Sequence, residues 1–184
     1  MQVYAIFCDK SHNVLIVKKK VKNSWWSGGL CAPARVNQAG QWALPGGNLN
    51  QDEKPDIGAM REFSEETGID LKNFPGGTSG AVIKRTDQYI LVCFQLSTAH
   101  LNDLCSGINH NVSPKQNNLS TPTGHVVDWE LAEARVLRAA EVTQYLGVRQ
   151  NISPHLDAST PRAKKPDSQK IDWYAEMAEI IKQL

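Results

Sequence analysis

The sequence lacks the features that mark a secreted, membrane-spanning or disulfide-bonded chain. It has no apolar run of about 18 residues, which a membrane helix needs, and it opens without the charged, apolar and small-residue series of a signal peptide. Its four cysteines, Cys8, Cys31, Cys93 and Cys105, form no CxxC pair, so neither a zinc ribbon nor a redox motif is indicated. We therefore expect reduced thiols, mostly in the core, a cytoplasmic location and no membrane partner.

Net charge is also nearly absent, because 20 basic and 19 acidic residues leave a formal charge of +1. This balance gives no electrostatic reason to expect duplex DNA as a partner. The basic run between Lys18 and Lys22 is predicted to be a solvated strand end, and the five histidines show no metal-ligand spacing. With 184 residues, 41% of them hydrophobic, the chain is long enough to bury the core of one domain.

Short β-branched runs predict most of the secondary structure. "VYAIFC" from Val3 and "NVLIVKKK" from Asn13 indicate a hairpin, and "AVIKRT", "QYILVCFQL" and "EARVLRA" indicate further strands, with "QYILVCFQL" in the centre of its sheet. Residues 97–124 are predicted to be a long loop that acts as a lid or selects the substrate. Residues 151–184 are predicted to be a tether followed by an amphipathic helix, which either closes the core or forms a homodimer surface.

Three acids, Glu62, Glu65 and Glu66, crowd one face of a predicted helix. Pro55 suits the first helical position and Gly68 suits the left-handed residue beyond the end, so the helix is expected to run from about 55 to 67. Positions i, i+3 and i+4 share a face, and like charges at this spacing repel. Arg61 offsets only part of that repulsion. A hard divalent cation such as Mg²⁺ or Mn²⁺, which prefers carboxylate oxygens, would remove the conflict.

The stretch "GNLNQDEKPDIGAMREFSEETGI", residues 47–69, resembles the Nudix box of the Nudix hydrolases at every defined position. The positions that carry the resemblance are Gly47, Glu53, Arg61, Glu62, Phe63, Glu65, Glu66, Gly68 and Ile69. The resemblance implies an α/β (α+β) fold, namely an α/β/α sandwich with a mixed central sheet, although it is one of element order only outside the box and fades after about Leu96. The single domain at residues 1–184 follows instead from length and composition. The resemblance also implies a Mg²⁺- or Mn²⁺-dependent pyrophosphohydrolase that cleaves a nucleoside diphosphate linked to another group.

Position by position, the resemblance assigns roles to the acids of the box and their neighbours. Glu62, Glu65 and Glu66 would be metal ligands, and Glu62 is alternatively the base that acts on the attacking water. Arg61 would hold the carboxylates in register, and Glu53 would brace them or bind a second metal. Two further metal ligands are predicted outside these acids, the Gly46 carbonyl and one later acid chosen from Asp128, Glu130 and Glu133, of which Glu130 is preferred.

The substrate is less constrained by the sequence. Trp25, Trp26 and Trp42 are candidates for stacking on a nucleobase, with a role as core or loop anchors as the alternative. Tyr89 lies near the place where diadenosine polyphosphate hydrolases often carry a tyrosine, so the resemblance makes it a further substrate-binding candidate, with packing in the core as the alternative. We expect a free nucleoside triphosphate, or a related small nucleotide, to be cleaved to a nucleoside monophosphate. The alternatives are a dinucleoside polyphosphate hydrolase, removal of a 5′ pyrophosphate or cap from RNA, and a nucleotide-sensing or protein-binding module without turnover.

Overall fold

A computed structural model describes residues 1–26, 29–75, 79–112, 128, 130–152 and 168–184 of the chain, without the side chains of 24–33 and 168–171. The predicted hairpin is confirmed, since strand β1 (Gln2–Asp9) pairs antiparallel with β2 (Asn13–Lys19). Within the described residues the other strands are β3 (Lys22–Trp26), β4 (Gly29–Arg35), β5 (Trp42–Ala43), β6 (Gly46–Asn48), β7 (Gly80–Arg85), β8 (Tyr89–Leu96) and β9 (Leu131–Arg138).

Seven of these described strands form one mixed sheet, as predicted. Five of the strands lie side by side in the order β5-β2-β1-β8-β7. In addition, β6 pairs with β1 and β9 pairs with β2. β1 and β8 run parallel over their whole lengths, while the other pairs of the sheet are antiparallel. The predicted central position of "QYILVCFQL" is confirmed, because β8 lies between β1 and β7. The remaining strands, β3 and β4, form a separate antiparallel pair.

Helices cover both faces of the sheet. Helix α1 (Pro55–Thr67) packs on one face, where the Phe63 ring lies 4.6 Å from the Phe7 ring. Helix α3 (Ser168–Ile181) packs on the other, where the Tyr174 ring lies 5.7 Å from the Tyr4 ring. Side chains alternate between faces along a strand, so positions 4 and 7 of β1 point in opposite directions. The predicted α/β/α sandwich is therefore confirmed.

The predicted loop at 97–124 is wrong over its first half. Residues Thr98–Asn111 form helix α2, which begins where the Ser97 hydroxyl accepts a hydrogen bond from the His100 amide. Leu101, Leu104 and Ile108 are buried along one side of this helix. Residues 113–127, on which the rest of the loop prediction falls, lie outside the described residues.

Helix α3 closes the core, which was one of the two predictions for it. Tyr174, Met177, Ala178 and Ile181 are buried against the sheet and against the 3₁₀ turn at Ala139–Gln144. The tether predicted at 151–167 lies, apart from its first two residues, in a part of the chain that is not described. Among the helices that are described, none combines the length and the apolar character that a membrane crossing requires.

Candidate functional site

The site is built around β6 and helix α1, and two glycines let β6 approach its neighbours closely, β1 at Gly46 and α1 at Gly47. β6 pairs with β1, and a Cβ at Gly46 would lie 2.2 Å from the Val3 carbonyl oxygen. A Cβ at Gly47 would lie 2.1 Å from Oε2 of Glu62. Any larger residue at either position would displace backbone or a carboxylate. Gly47 therefore lets the β6 backbone lie directly against Glu62 of α1, while Gly46 lets β6 lie directly against β1.

The bounds of α1 match the sequence prediction. Pro55 occupies the first turn, where its missing N–H has no helical partner to lose. Gly68 adopts a left-handed conformation with φ 73° and donates its N–H to the Ser64 carbonyl. Helix geometry then places positions 62, 65 and 66 on one side of α1. Glu62 and Glu66 are buried, whereas the side chain of Glu65 is 34% exposed.

Arg61 holds three of the acids through its guanidinium group. Its Nε and Nη2 atoms each donate to a different oxygen of Glu53 at 3.0 Å, and Nη1 donates to Glu62 at 2.8 Å and to Glu65 at 3.2 Å. Nη2 also donates to the Asn48 carbonyl at 2.7 Å. The hydrogen bonds from Arg61 lower the pKa of Glu53. Arg61 thus contacts three carboxylates at once, and the role that the resemblance implies for it stays a prediction.

A second cation, Lys19, joins two more acids. Its Nζ lies 2.7 Å from Oε1 of Glu66 and 2.7 Å from Oε2 of Glu130. The Gly46 N–H donates to the other oxygen of Glu66 at 3.1 Å, and the Lys20 N–H donates to the Glu130 carbonyl at 2.7 Å. Glu130, which the sequence placed in a later loop, is therefore held next to the acids of α1.

Burial dominates the electrostatics of Glu66, which is 3% exposed. Loss of solvation raises the pKa of Glu66 to about 7, and Glu130 adds to the rise, while Lys19 and the Gly46 N–H oppose it. Burial alone would lower the pKa of Lys19, but the two carboxylates outweigh that effect and raise it. Two carboxylates contact the Lys19 ammonium group at once, which favours the ionised form of the Lys19–Glu66 pair.

Glu62 and Asp128 extend the acidic region. Burial raises the pKa of Glu62, Arg61 opposes that effect, and the charges of Glu65 and Asp128 add to it. The Asp128 N–H donates to the Glu65 carbonyl at 3.3 Å, so this loop residue lies beside the helix. Glu133, the third late acid considered, instead forms an ion pair with Arg135 on β9. The site therefore combines a buried carboxyl at Glu62 with acids from two parts of the chain.

Two predicted substrate contacts are contradicted by burial. Trp42 is 4% exposed, with Tyr145 packed edge-on against its ring and Arg135 over its face. Tyr89 is 1% exposed and packs against the rings of Tyr4 and Trp173. Both side chains belong to the core, so neither has a free face for a nucleobase. The side chains of Trp25 and Trp26 lie outside the described residues.

Lys19 is the side chain of this candidate site that the sequence prediction missed. The whole basic run was predicted to be solvated, yet Lys19 is 8% exposed. Strand alternation offered a signal, since Lys19 shares a face with Leu15 and Val17, which are both fully buried. A lysine that continues a buried face requires an acidic partner. Here Glu66 and Glu130 supply that partner.

The donor set suits a hard divalent cation. Carboxylate oxygens from α1 and from the segment before β9, together with the backbone at Gly46, are the ligand types that Mg²⁺ and Mn²⁺ prefer. In the described part of the chain, however, no three His, Cys, Asp or Glu side chains are arranged around one common point that could hold a metal ion. Arg61 and Lys19 occupy the spaces between the carboxylates instead.

Comparison with known proteins shows the family of the chain. The family model for the NUDIX domain matches residues 1–151, so this chain belongs to the NUDIX family. Among curated proteins, an 8-oxo-dGTP diphosphatase from Proteus vulgaris is 33% identical over 66 residues, which are 36% of this chain and 47% of that protein. The match thus spans about half the length of that relative.

Solved structures of low sequence identity also match. A MutT protein from Methanosarcina mazei Go1 is 18% identical, with 97% of this chain and 91% of that chain covered and a TM-score of 0.42. A MutT/nudix family protein from Listeria innocua is 15% identical, with 98% and 95% covered and a TM-score of 0.42.

Proposed function

We propose that this protein is a Mg²⁺- or Mn²⁺-dependent pyrophosphohydrolase that cleaves a free nucleoside triphosphate, or a related nucleoside diphosphate derivative, to a nucleoside monophosphate. The observation that carries the proposal is the convergence of Glu53, Glu62, Glu65, Glu66 and Glu130 on two cations beside a backbone opened by Gly46 and Gly47. Membership of the NUDIX family supports it, and the name of the Proteus vulgaris relative supports a nucleotide substrate.

In this proposal the acids divide into ligands and supports. Glu62, Glu65, Glu66 and Glu130, with the Gly46 carbonyl, would hold the metal, which when bound neutralises phosphate charge and lowers the pKa of an attacking water. Arg61 keeps the carboxylates at their spacing, and Glu53 keeps Arg61 in place through two hydrogen bonds.

Glu62 is alternatively the base that acts on the attacking water, in which case Glu65, Glu66 and Glu130 remain as the carboxylate ligands. Its buried carboxyl has a raised pKa, which brings it nearer to the operating pH of a general base. Glu62 also accepts a hydrogen bond from Arg61, so its carboxylate is oriented before a substrate arrives. A general base needs both properties, because it must be in hydrogen-bond reach and must exchange a proton near neutral pH.

The test is a product screen with the purified protein and Mg²⁺ or Mn²⁺. The panel contains nucleoside triphosphates including 8-oxo-dGTP, dinucleoside polyphosphates, nucleotide sugars, ADP-ribose, NADH and capped RNA, with products separated by chromatography. We expect a nucleoside monophosphate from one class of free nucleotide. Turnover of capped RNA alone would favour the RNA alternative. Metal binding without any turnover would favour the sensing module and overturn the proposal.

Two substitutions link the chemistry to the site. Glu65→Gln and Glu66→Gln are each expected to lower metal-dependent hydrolysis by at least about a hundredfold, because each removes one ligand charge. Glu179→Gln, on the exposed side of α3, is the matched control and should retain activity. Circular dichroism checks that all three variants fold. Retained turnover in the Glu66→Gln variant would refute its assignment as a ligand.

A further inference from the structure

Lys19 lies where a metal would have to compete with it. Its ammonium group contacts one oxygen each of Glu66 and Glu130 at 2.7 Å, and both residues are proposed metal ligands. The second oxygen of Glu66 already accepts the Gly46 N–H. Oε1 is therefore the Glu66 oxygen that faces away from the β6 backbone, and Lys19 is bound to it.

Both acids are held at this position by backbone contacts. Gly46 fixes Glu66, and the Lys20 N–H fixes the Glu130 carbonyl. Lys19 itself is anchored by its own N–H, which donates to the Gln41 carbonyl at 2.9 Å. The lysine side chain is the long, rotatable member of the group. When a second cation arrives, the ammonium group can move with less rearrangement than either carboxylate.

We propose that Lys19 is an internal competitor of the divalent ion: it neutralises Glu66 and Glu130 in the metal-free protein and gives up Glu66 Oε1 when the metal binds. This inference rests on the metal site of the proposed function. It explains how the buried Glu66 and the partly buried Glu130 coexist before loading, since an unpaired buried carboxylate is costly. If Lys19 competes in this way, it lowers the affinity of the site for the metal.

An alternative role for Lys19 predicts the opposite change in metal affinity when the lysine is removed. If Lys19 only holds Glu66 and Glu130 in position, its loss lets the two carboxylates separate, and metal binding weakens. If Lys19 competes, its loss removes a positive charge from the space that a dication needs, and metal binding strengthens. The direction of the change in affinity therefore separates a competitor from a scaffold.

The experiment measures Mn²⁺ binding to the full chain by titration calorimetry, and the Mn²⁺-induced rise in Tm, for wild type and Lys19→Met. Competition predicts a dissociation constant about tenfold lower in the variant. It also predicts a lower metal-free Tm and a larger rise in Tm on adding Mn²⁺. Neither readout depends on turnover. An unchanged or higher dissociation constant in the variant overturns the inference.

Lys18→Met is the matched control, because it removes the same charge one residue earlier on β2. Lys18 lies 5.6 Å over the Trp42 ring, and its loss should leave Mn²⁺ affinity almost unchanged. Lys19→Gln is the second variant, judged by the same criterion if Lys19→Met does not fold. Failure of the wild type to bind Mn²⁺ would overturn the proposed metal site and this inference together. If the wild type binds Mn²⁺ but the Lys19 variants do not bind it more tightly, the inference about Lys19 is overturned and the proposed metal site stands.

Discussion

The sulfur atoms of Cys8 and Cys93 lie 3.3 Å apart across the parallel strands β1 and β8. Both thiols are free, as is Cys105. The hydrogen bond with Cys8 lowers the pKa of Cys93 although burial opposes it, whereas burial raises the pKa of Cys105. The pair therefore has one thiol that is easier to ionise than an ordinary cysteine.

Cys93 should consequently react with iodoacetamide several-fold faster than Cys105 at neutral pH, because the thiolate is the nucleophile. Peptide mapping by mass spectrometry after timed labelling measures both rates in one sample. Cys8→Ala should slow labelling of Cys93 and leave Cys105 unchanged. Faster labelling of Cys105, or no effect of Cys8→Ala, would show that the contact with Cys8 does not activate Cys93.

Arg61→Lys is expected to lower the free energy of unfolding by about 1–3 kcal/mol when metal is removed with a chelator. A lysine cannot reproduce a planar fork that reaches Glu53, Glu62 and Glu65 together. Urea unfolding followed by circular dichroism gives the value. Lys182→Met is the control, because its surface pair with Glu179 is 3.8 Å long and such pairs contribute little. Equal losses in the two variants would contradict a special role for the guanidinium.

Gly47→Ala is expected to impair metal-dependent activity more than stability. Its new Cβ would occupy the position of the Glu62 carboxylate, 2.1 Å from Oε2, and the flexible glutamate side chain can turn away at small cost to the fold. Activity should fall at least about tenfold, with Tm nearly unchanged. Gly107→Ala on α2, where a Cβ would lie 3.1 Å from the end of the Ile69 side chain, should leave activity intact. Full activity of Gly47→Ala would show that the position of Glu62 is not critical.

Asp9 makes stability depend on pH in the acid range. Burial raises the pKa of its carboxyl, but hydrogen bonds from Asn13, Thr98 and the Ser11 amide outweigh that effect and lower it to about 2. A folded-state pKa below the unfolded value adds stability above about pH 4, and this stability is lost as the pH falls through about 2.

Asp9→Asn should therefore cost on the order of 2 kcal/mol at pH 6, and the difference from wild type should shrink towards pH 2. Urea unfolding at several pH values measures it. Asp87→Asn, at an exposed position in the turn between β7 and β8, is the control and should show little difference from wild type at any of these pH values. If the difference in the free energy of unfolding between Asp9→Asn and wild type does not vary with pH, the stabilisation does not depend on the ionised Asp9 carboxylate.

The bounds of α1 and the β1–β2 hairpin could be predicted because local chemistry determines them. Pro55 and Gly68 set the ends of α1 through backbone properties that need no tertiary partner. Helix α2 was missed because its Asn, Ser, Gly and His residues are poor helix formers. Its signal lay in the spacing of Leu101, Leu104 and Ile108 and in the cap at Ser97. Burial against the sheet outweighs the weak propensity.

The residues of the site could be predicted where they lie in one continuous stretch of sequence. They could not be predicted where their position depends on which strands pair. Glu62, Glu65 and Glu66 follow from helix periodicity, but the position of Lys19 between Glu66 and Glu130 requires β9 to pair with β2. Likewise, the burial of Trp42 and Tyr89 arises from neighbours distant in the chain, Tyr145 and Trp173. The pattern of apolar residues in one sequence shows whether a segment is a helix or a strand. It does not show which other helix or strand packs against each of its faces.

The parallel pairing of β1 with β8 bears on how the protein folds. Gln2 lies opposite Tyr89 and Asn13 lies opposite Arg138, so the central contacts join segments far apart in the chain. Closing such long loops before any contact is gained makes folding slow. The α1 turns can form early and bring Glu62, Glu65 and Glu66 together, but Glu130 joins them only when β9 pairs with β2. During synthesis, this last acid would remain apart from the acids of α1 until β9 has emerged, so the full set of acids would assemble late in folding.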